Sequence, residues 1–133
     1  NFDFINFQDE IKNKVIKYKG YKTDLLQILR RAEIFCLPSY REGFPKSILE
    51  AQAAGISCIV SNAIGCKESV LNNKTGLIFR NRDYKDLIKK ISYLIERPKK
   101  RLIFSRNAKK SIKKFASINT VTKEIFKIYE FSK

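Results

Sequence analysis

Glu42 and Glu50 bracket seven residues in the stretch PSYREGFPKSILEAQAAG, residues 38–55 of a lysine-rich chain. A Gly-Phe-Pro turn follows the first acid. Pro45 suits a first helical turn and Gly55 suits the stop after a last one, so the stretch reads as a loop and then a helix. Along the helical part, from Pro45 to Glu50, the rise alone separates the two carboxylates by roughly 8 Å. That separation suits one elongated ligand held at two hydroxyl groups. It does not suit a proton relay acting on one atom. Helix-end electrostatics is the competing reading, since an acid near a first turn gains ~0.3–1 kcal/mol from the dipole. It accounts for Glu42 and leaves Glu50, in mid-helix, unexplained.

The elements around the stretch are legible from their apolar runs. KVIKY near Val15, IFCLP from Ile34, SCIVS from Ser57 and GLIF from Gly76 read as strands. Between them TDLLQILRRAE reads as a helix capped by Thr23 or Asp24, with Leu25, Leu26, Ile28 and Leu29 as its apolar residues. KESVL from Lys67 gives one or two helical turns. DYKDLIKKISYLIER from Asp83 gives an amphipathic helix with Leu87, Ile88, Ile91, Leu94 and Ile95 inward, broken by Pro98. Two further helices are expected, over about 99–114 and about 119–131. Strands that are apolar throughout and alternate with helices indicate a parallel sheet covered on both faces. The expectation is an α/β, Rossmann-like, doubly wound sheet with additional C-terminal helices. It forms a single domain over 1–133, with a helical tail from about 98.

In such sheets, ligands bind beyond the carboxyl ends of the strands. SYREGF leaves IFCLP at that edge and enters a helix whose first N–H groups favour an anion. Gly43 lets the backbone approach a ligand closely. NAIGCKESV leaves SCIVS the same way and turns through Gly65. Two glycine-bearing turns side by side make a cradle for a diphosphate and its sugar. The chain has no histidine, which removes histidine triads and histidine metal ligands. Its three cysteines, Cys36, Cys58 and Cys66, lack CxxC spacing, so neither a disulfide framework nor a zinc site is expected.

The run PSYREGFPKSILEAQAAGISCIVSNAIGCKESV resembles the signature of retaining glycosyltransferases of family four, which have the GT-B fold. Their E-x7-E motif is matched by Glu42 and Glu50. The pieces PSYREG, LEA and GCKESV look particularly like the bacterial branch that builds capsule, O-antigen and lipid-linked oligosaccharides. The resemblance covers about residues 20–95 and implies a nucleotide-sugar donor site in one half of a GT-B fold. By it Glu42 faces the donor sugar and diphosphate and is the catalytic position. Gly43, Phe44 and Pro45 lie along sugar and phosphates, Lys46 adds attraction to the diphosphate, and Glu50 holds the ribose hydroxyls. Gly65 belongs to the second turn, and Tyr21 falls near the loop that meets the base. Ile64 stands where the family commonly has a second small residue or a proline.

The resemblance further implies a nucleotide-diphosphate sugar as substrate, a UDP-sugar being the expected donor, with no cofactor and no metal. The acceptor-binding domain, the first β-α-β of the donor domain and the basic residues that neutralise the leaving diphosphate are expected ahead of the region present. The chain is thus expected to be part of a longer enzyme, binding donor weakly and catalysing little alone.

The net charge is +15. Such an excess attracts nucleic acid, anionic lipid or phosphorylated ligands, and the charge surrounding the stretch with Glu42 and Glu50 is read as fitting the ligand's diphosphate. Residues 97–115 hold nine basic residues and no acid. Leu102, Ile103, Phe104, Ala108, Ile112 and Phe115 recur there at helical spacing, so one face meets a core. The other is a solvated face or a contact with anionic membrane, where each basic residue adds ~1 kcal/mol. No nucleic-acid motif is present, so no nucleic-acid partner is expected. No apolar run approaches ~20 residues, and NFDFINFQDE lacks the pattern of a secretory signal. The expected place is the cytoplasm, peripherally on the inner face of the cell membrane. The alternative from another class is a non-catalytic basic Rossmann-like module that binds nucleic acid or membrane.

Overall fold

The computed structural model describes residues 8–22 and 26–115. Its centre is a parallel sheet of three strands, β1 (Ile34–Leu37), β2 (Ser57–Ser61) and β3 (Gly76–Phe79), in that spatial order. The register sets Phe35 beside Cys58 and Ile59 beside Leu77. Every residue of β2 is buried, whereas β1, at one side, is half-buried throughout.

Side chains alternate across a strand, and β2 therefore serves two cores. Cys58 and Val60 face Leu29, Ile48, Ala51 and Cys66, beneath α2 (Leu26–Leu29) and α3 (Lys46–Ala53). Ile59 faces the opposite way, with Leu77 and Phe79, beneath Leu94 of α4 (Tyr84–Ile95) and Phe104 of α5 (Pro98–Phe115). Helices thus cover both faces, as expected of a doubly wound α/β sheet.

The helix ends follow their chemistry. Pro45, which cannot donate, sits at the start of α3 with φ −70°. At its other end Gly55 has φ +79°; its N–H donates to the Gln52 carbonyl and the Ile56 N–H to the Ala51 carbonyl. These two bonds are the Schellman pattern, and the left-handed residue they need is the expected glycine. Asp83 caps α4 by accepting the Asp86 N–H at 2.9 Å.

Four expectations are corrected. KVIKY is not a strand. A short helix α1 (Gln8–Lys12) precedes it, and the N–H groups of Val15 and Ile16 both donate to the Glu10 carbonyl. Those donors are spent on a helix end and are not available to a sheet ladder. In α4, Leu87, Ile91 and Leu94 face the core at helical spacing, but Ile88 and Ile95 are exposed. Each lies one position, ~100°, further round the helix, beyond the arc that β3 and α5 cover. Among the described side chains of α5 Phe104 and Ala108 are fully buried, while Leu102 and Ile103 are about half exposed. Helix α2 ends at Leu29, four residues short of its pattern's end, whereas KESVL forms one helical turn as expected, a 3-10 turn at Lys67–Ser69. Thr23, Asp24, Leu25 and the helix expected at about 119–131 lie outside the described residues.

Candidate functional site

Three loops leave the carboxyl ends of the three strands and meet at one rim. The loop after β1 carries Ser39 to Phe44, the loop after β2 carries Asn62 to Cys66, and the turn after β3 carries Arg80 to Asp83. Backbone bonds set their spacing. The Glu42 N–H donates to the Ile64 carbonyl at 3.1 Å, and the Asn62 N–H donates to the Phe79 carbonyl at 2.8 Å.

Gly65 is the tightest point of the rim. Its φ is +86°, and a Cβ there would fall 2.1 Å from the Gly43 carbonyl oxygen and 2.3 Å from that of Glu42. Only glycine allows both the left-handed backbone and that approach. The Gly65 N–H in turn donates to the Glu68 carboxylate at 2.8 Å.

The side chain of Glu42 is oriented by a relay of hydroxyl groups. Ser61, the last residue of β2, donates to the Ser39 carbonyl, and the Ser39 hydroxyl donates to Glu42 Oε1 at 2.6 Å. Below them lies the buried Cys66. Burial pushes its thiol up, the Ser61 hydrogen bond opposes this, and the carboxylates of Glu42 and Glu68 push the same way as burial. A thiol held protonated in this way is packing rather than a nucleophile.

Glu50 lies in α3, half-buried, with Lys46 Nζ 3.5 Å from its carboxylate. The pair has Lys on the N-terminal side, the weaker orientation, and Lys46 is largely exposed. It contributes a few tenths of a kcal/mol at most, so it is not what Glu50 is there to make. No side chain caps the start of α3. Its first N–H groups have no carbonyl one turn earlier in the helix to bind, the Ile48 N–H donating instead to the Pro45 carbonyl at 3.1 Å.

The structure therefore brings Glu42, Gly43, Phe44, Pro45, Lys46, Glu50 and Gly65 into one region. Phe44 is half exposed, whereas Pro45 and Gly65 are buried. Tyr21 is 91% exposed in the coil that follows Gly20, and it takes no part in the contacts joining the loops. Two clefts of the described surface lie elsewhere. One is bounded by Glu33, Gly55, Ser57, Arg101 and Ser105, the other by Lys19, Gln27 and Arg31. Ser39, Ser61, Asn62 and Asn81 were not among the expected site residues. Asn62 Oδ1 accepts the Asn81 N–H at 2.8 Å, and the Asn81 side chain reaches the Tyr40 carbonyl at 3.4 Å. Each lies within three residues of a strand's carboxyl end, and that position was the available signal. Among the described residues no three Cys, Asp or Glu side chains gather as a metal-ligand set.

An oriented carboxylate, a second carboxylate on the following helix and an uncapped helix start can hold a polyhydroxylated anion at several points. Carboxylates accept from hydroxyl groups, and the helix start donates to phosphate oxygens.

The densest positive charge is not at this rim. Residues 97–114 lie in or next to α5, which crosses the amino ends of the strands. There the Ser57 hydroxyl donates to the Arg101 carbonyl and the Ser105 hydroxyl to the Gly55 carbonyl. That tract covers the far end of the sheet from Glu42.

The family model described as glycosyl transferases group 1 matches residues 7–111. A Campylobacter jejuni relative, N,N'-diacetylbacillosaminyl-diphospho-undecaprenol alpha-1,3-N-acetylgalactosaminyltransferase, is 34% identical over 98% of this chain and 37% of its own length. Escherichia coli UDP-Gal:alpha-D-GlcNAc-diphosphoundecaprenol alpha-1,3-galactosyltransferase is 37% identical over 62% of the chain and 22% of its own length. In fold, the chain is similar to Anabaena HepE, whose crystal structure holds UDP, with a TM-score of 0.80 at 19% identity. That match covers 98% of this chain and 38% of HepE. The crystal structure of TarM gives a TM-score of 0.83 at 21% identity over 96% of the chain and 26% of TarM. The chain spans little more than a third of the length of the Campylobacter relative.

Proposed function

Because the chain belongs to the glycosyl transferases group 1, we propose that its carboxyl-end rim is the donor half of a retaining glycosyltransferase site. The ligand is a nucleotide-diphosphate sugar, a UDP-sugar first among them, and the acceptor is a sugar or lipid-linked sugar of surface polysaccharide or glycolipid synthesis. The names of the Campylobacter and Escherichia coli relatives carry lipid-diphosphate acceptors, and the second also carries a UDP-sugar. The observation that carries the reading is the pair Glu42 and Glu50. One is anchored at a strand end by Ser39, and the other sits two turns further along an uncapped helix.

In this reading Glu50 accepts both hydroxyl hydrogens of the ribose, a charge-assisted contact. Glu42 meets the donor sugar. The backbone of Gly43 and Phe44 and the start of α3 run along the diphosphate, and Lys46 lies beside it. The bond from the anomeric carbon to the diphosphate breaks, a bond to the acceptor oxygen forms on the same face, and the acceptor proton passes to the departing phosphate. No side-chain nucleophile and no metal is required, and the protein's part is electrostatic preorganisation. An acceptor-binding domain would supply the other wall of the cleft.

Calorimetric titration with UDP and UDP-sugars tests this. Glu50→Ala should weaken nucleotide and nucleotide-sugar alike by about tenfold or more, the size of a lost hydrogen bond to a charged group. Glu42→Ala should cost the sugar donor more than the bare nucleotide. Equal losses in the second case would refute the division of roles, and no nucleotide binding at all would refute the site.

The exposed side of α5 favours a second reading, that the chain works in the cytoplasm against the inner face of the membrane. Lys99, Ile103, Arg106, Lys110 and Lys113 follow one another at helical spacing, and all five are exposed. Among the described residues no helix is long and apolar enough to cross a membrane, so the contact would be peripheral. Cosedimentation with phosphatidylglycerol vesicles, lost at high salt and absent with phosphatidylcholine alone, would support it. Equal pelleting with both lipids would not.

A further inference from the structure

The turn after β3 holds an arginine that the donor reading does not use. Arg82 has φ +62°, a left-handed backbone that non-glycine residues adopt at a cost of order 1 kcal/mol. Its guanidinium lies over the ring of Tyr40, 5.4 Å from the centroid, and Tyr40 is two residues before Glu42. The turn is tied to both neighbouring loops: Asn81 donates its N–H to Asn62 and its side-chain amide to the Tyr40 carbonyl.

The charges around it are already distributed. Arg80 pairs with Asp83 at 3.1 Å, Asp83 also caps α4, and Asp86 accepts the Arg80 N–H and lies 4.0 Å from Lys90. On the neighbouring loop the Glu42 carboxylate accepts from Ser39, and Arg41 adds a second positive charge. Arg82 is in none of the ion pairs among the described residues. Stacking engages the flat face of a guanidinium and leaves its N–H donors, which lie in the plane, pointing outward. An arginine fixed in this way loses little side-chain entropy when it takes two oxygens of a phosphate.

We propose that Arg82, stacked on Tyr40, is a phosphate-binding residue of the rim that takes a diphosphate group by a two-pronged contact. This rests on the donor-site reading for the identity of the rim. The diphosphate has two possible sources, the nucleotide donor and a lipid-linked acceptor, and the chemistry at Arg82 is the same for both.

The test titrates inorganic pyrophosphate, UDP, uridine and farnesyl diphosphate into the wild-type chain, Arg82→Ala, Arg82→Lys and Lys110→Glu. Arg82→Ala should weaken pyrophosphate at least tenfold and leave uridine unchanged. Arg82→Lys should fall between, since it keeps the charge and loses the planar fork. Lys110→Glu, at the far end of the sheet, should leave pyrophosphate within twofold. If UDP weakens in Arg82→Ala and competes with pyrophosphate, the source is the donor. If farnesyl diphosphate weakens, UDP does not, and the two bind together, the source is the acceptor. The proposal is overturned if the diphosphates bind Arg82→Ala within twofold of wild type, if Lys110→Glu loses as much, or if the wild type binds no diphosphate. Failure of the donor reading shows separately, as UDP binding that Glu50→Ala leaves untouched. Tyr40→Leu guards against a misfolded Arg82 variant: it keeps the charge, removes the stack, and should cost pyrophosphate about threefold at unchanged melting temperature. No loss there would also overturn the proposal.

Discussion

At the carboxyl ends of β1, β2 and β3 the chain turns through short loops, and at the amino ends it is spanned by α5. The first region is fastened by bonds within and between its loops: Ser61 to Ser39, Ser39 to Glu42, Asn81 to Asn62. The second is fastened by side chains that bind backbone carbonyls and one carboxylate. Arg101 donates to the Leu94 and Ile95 carbonyls at 2.7 and 3.0 Å and pairs with Glu33 at 2.6 Å, while Asn107 donates to the Lys74 carbonyl. Arginine is therefore used in two ways. Arg101, mostly covered, binds two carbonyls at the end of α4, that of Leu94 also accepting the Arg97 N–H at 3.3 Å. Arg82 is exposed over a tyrosine and keeps its donors outward. Charge counted along the sequence does not separate these uses, because the nine basic residues of 97–114 belong to the end without the two glutamates.

The comparison breaks most readily at Gly65. Gly65→Ala forces a Cβ into two carbonyl oxygens in a left-handed backbone and should cost about 3 kcal/mol or more of stability. Nucleotide binding should vanish wherever the chain still folds, with chemical denaturation as the measurement. Arg101→Ala is the converse. It should lower stability by about 2 kcal/mol through the charge-assisted bonds it removes, yet UDP affinity by calorimetry should stay within twofold. A binding loss matching the stability loss would show that the two ends are not separable.

The thiols give a smaller effect with a definite sign. Burial pushes Cys58 up to about 12, helped by neighbouring Cys36, and raises Cys36 and Cys66 from 9.0 as well. The native chain should resist alkylation at pH 8 and react at all three thiols once denatured. Above pH 9 the unfolded chain releases thiol protons that the folded chain retains. The contribution of Cys58 is therefore fully present below pH 9 and declines as pH rises towards 12. Urea midpoints at pH 8 and pH 10, wild type against Cys58→Ala, would measure this as a shallower decline in the variant. Smallest is Lys110→Glu on the outer side of α5, expected within about 0.5 kcal/mol of wild-type stability. Its effect should appear only as weaker, salt-dependent binding to anionic vesicles.

Much of the fold was legible because continuous apolar runs and their stops act locally. IFCLP, SCIVS and GLIF became the strands, and the proline and glycine that bound α3 in the sequence bound it in space. KVIKY failed because its N–H groups were claimed by a helix end that no strand pattern announces. Ile88 and Ile95 failed because periodicity places a residue on a helix face, while the neighbouring elements decide how wide an arc of that face is covered. Within the site, Glu42, Glu50 and Gly65 were legible from spacing and turn chemistry. Ser39, Ser61, Asn62 and Asn81 were not, because their roles depend on partners 17 or more residues away along the chain or on a loop path that spacing does not define.

The sequence by itself determined that two carboxylates would flank a helix start at the carboxyl edge of a parallel sheet, because helix rise, proline and glycine act over a few residues. The tertiary structure alone decided how Glu42 is held, why Gly65 tolerates no side chain, and which end of the sheet receives the basic helix. Those outcomes depend on contacts between segments far apart in the chain, and such contacts exist only once both cores have closed around β2.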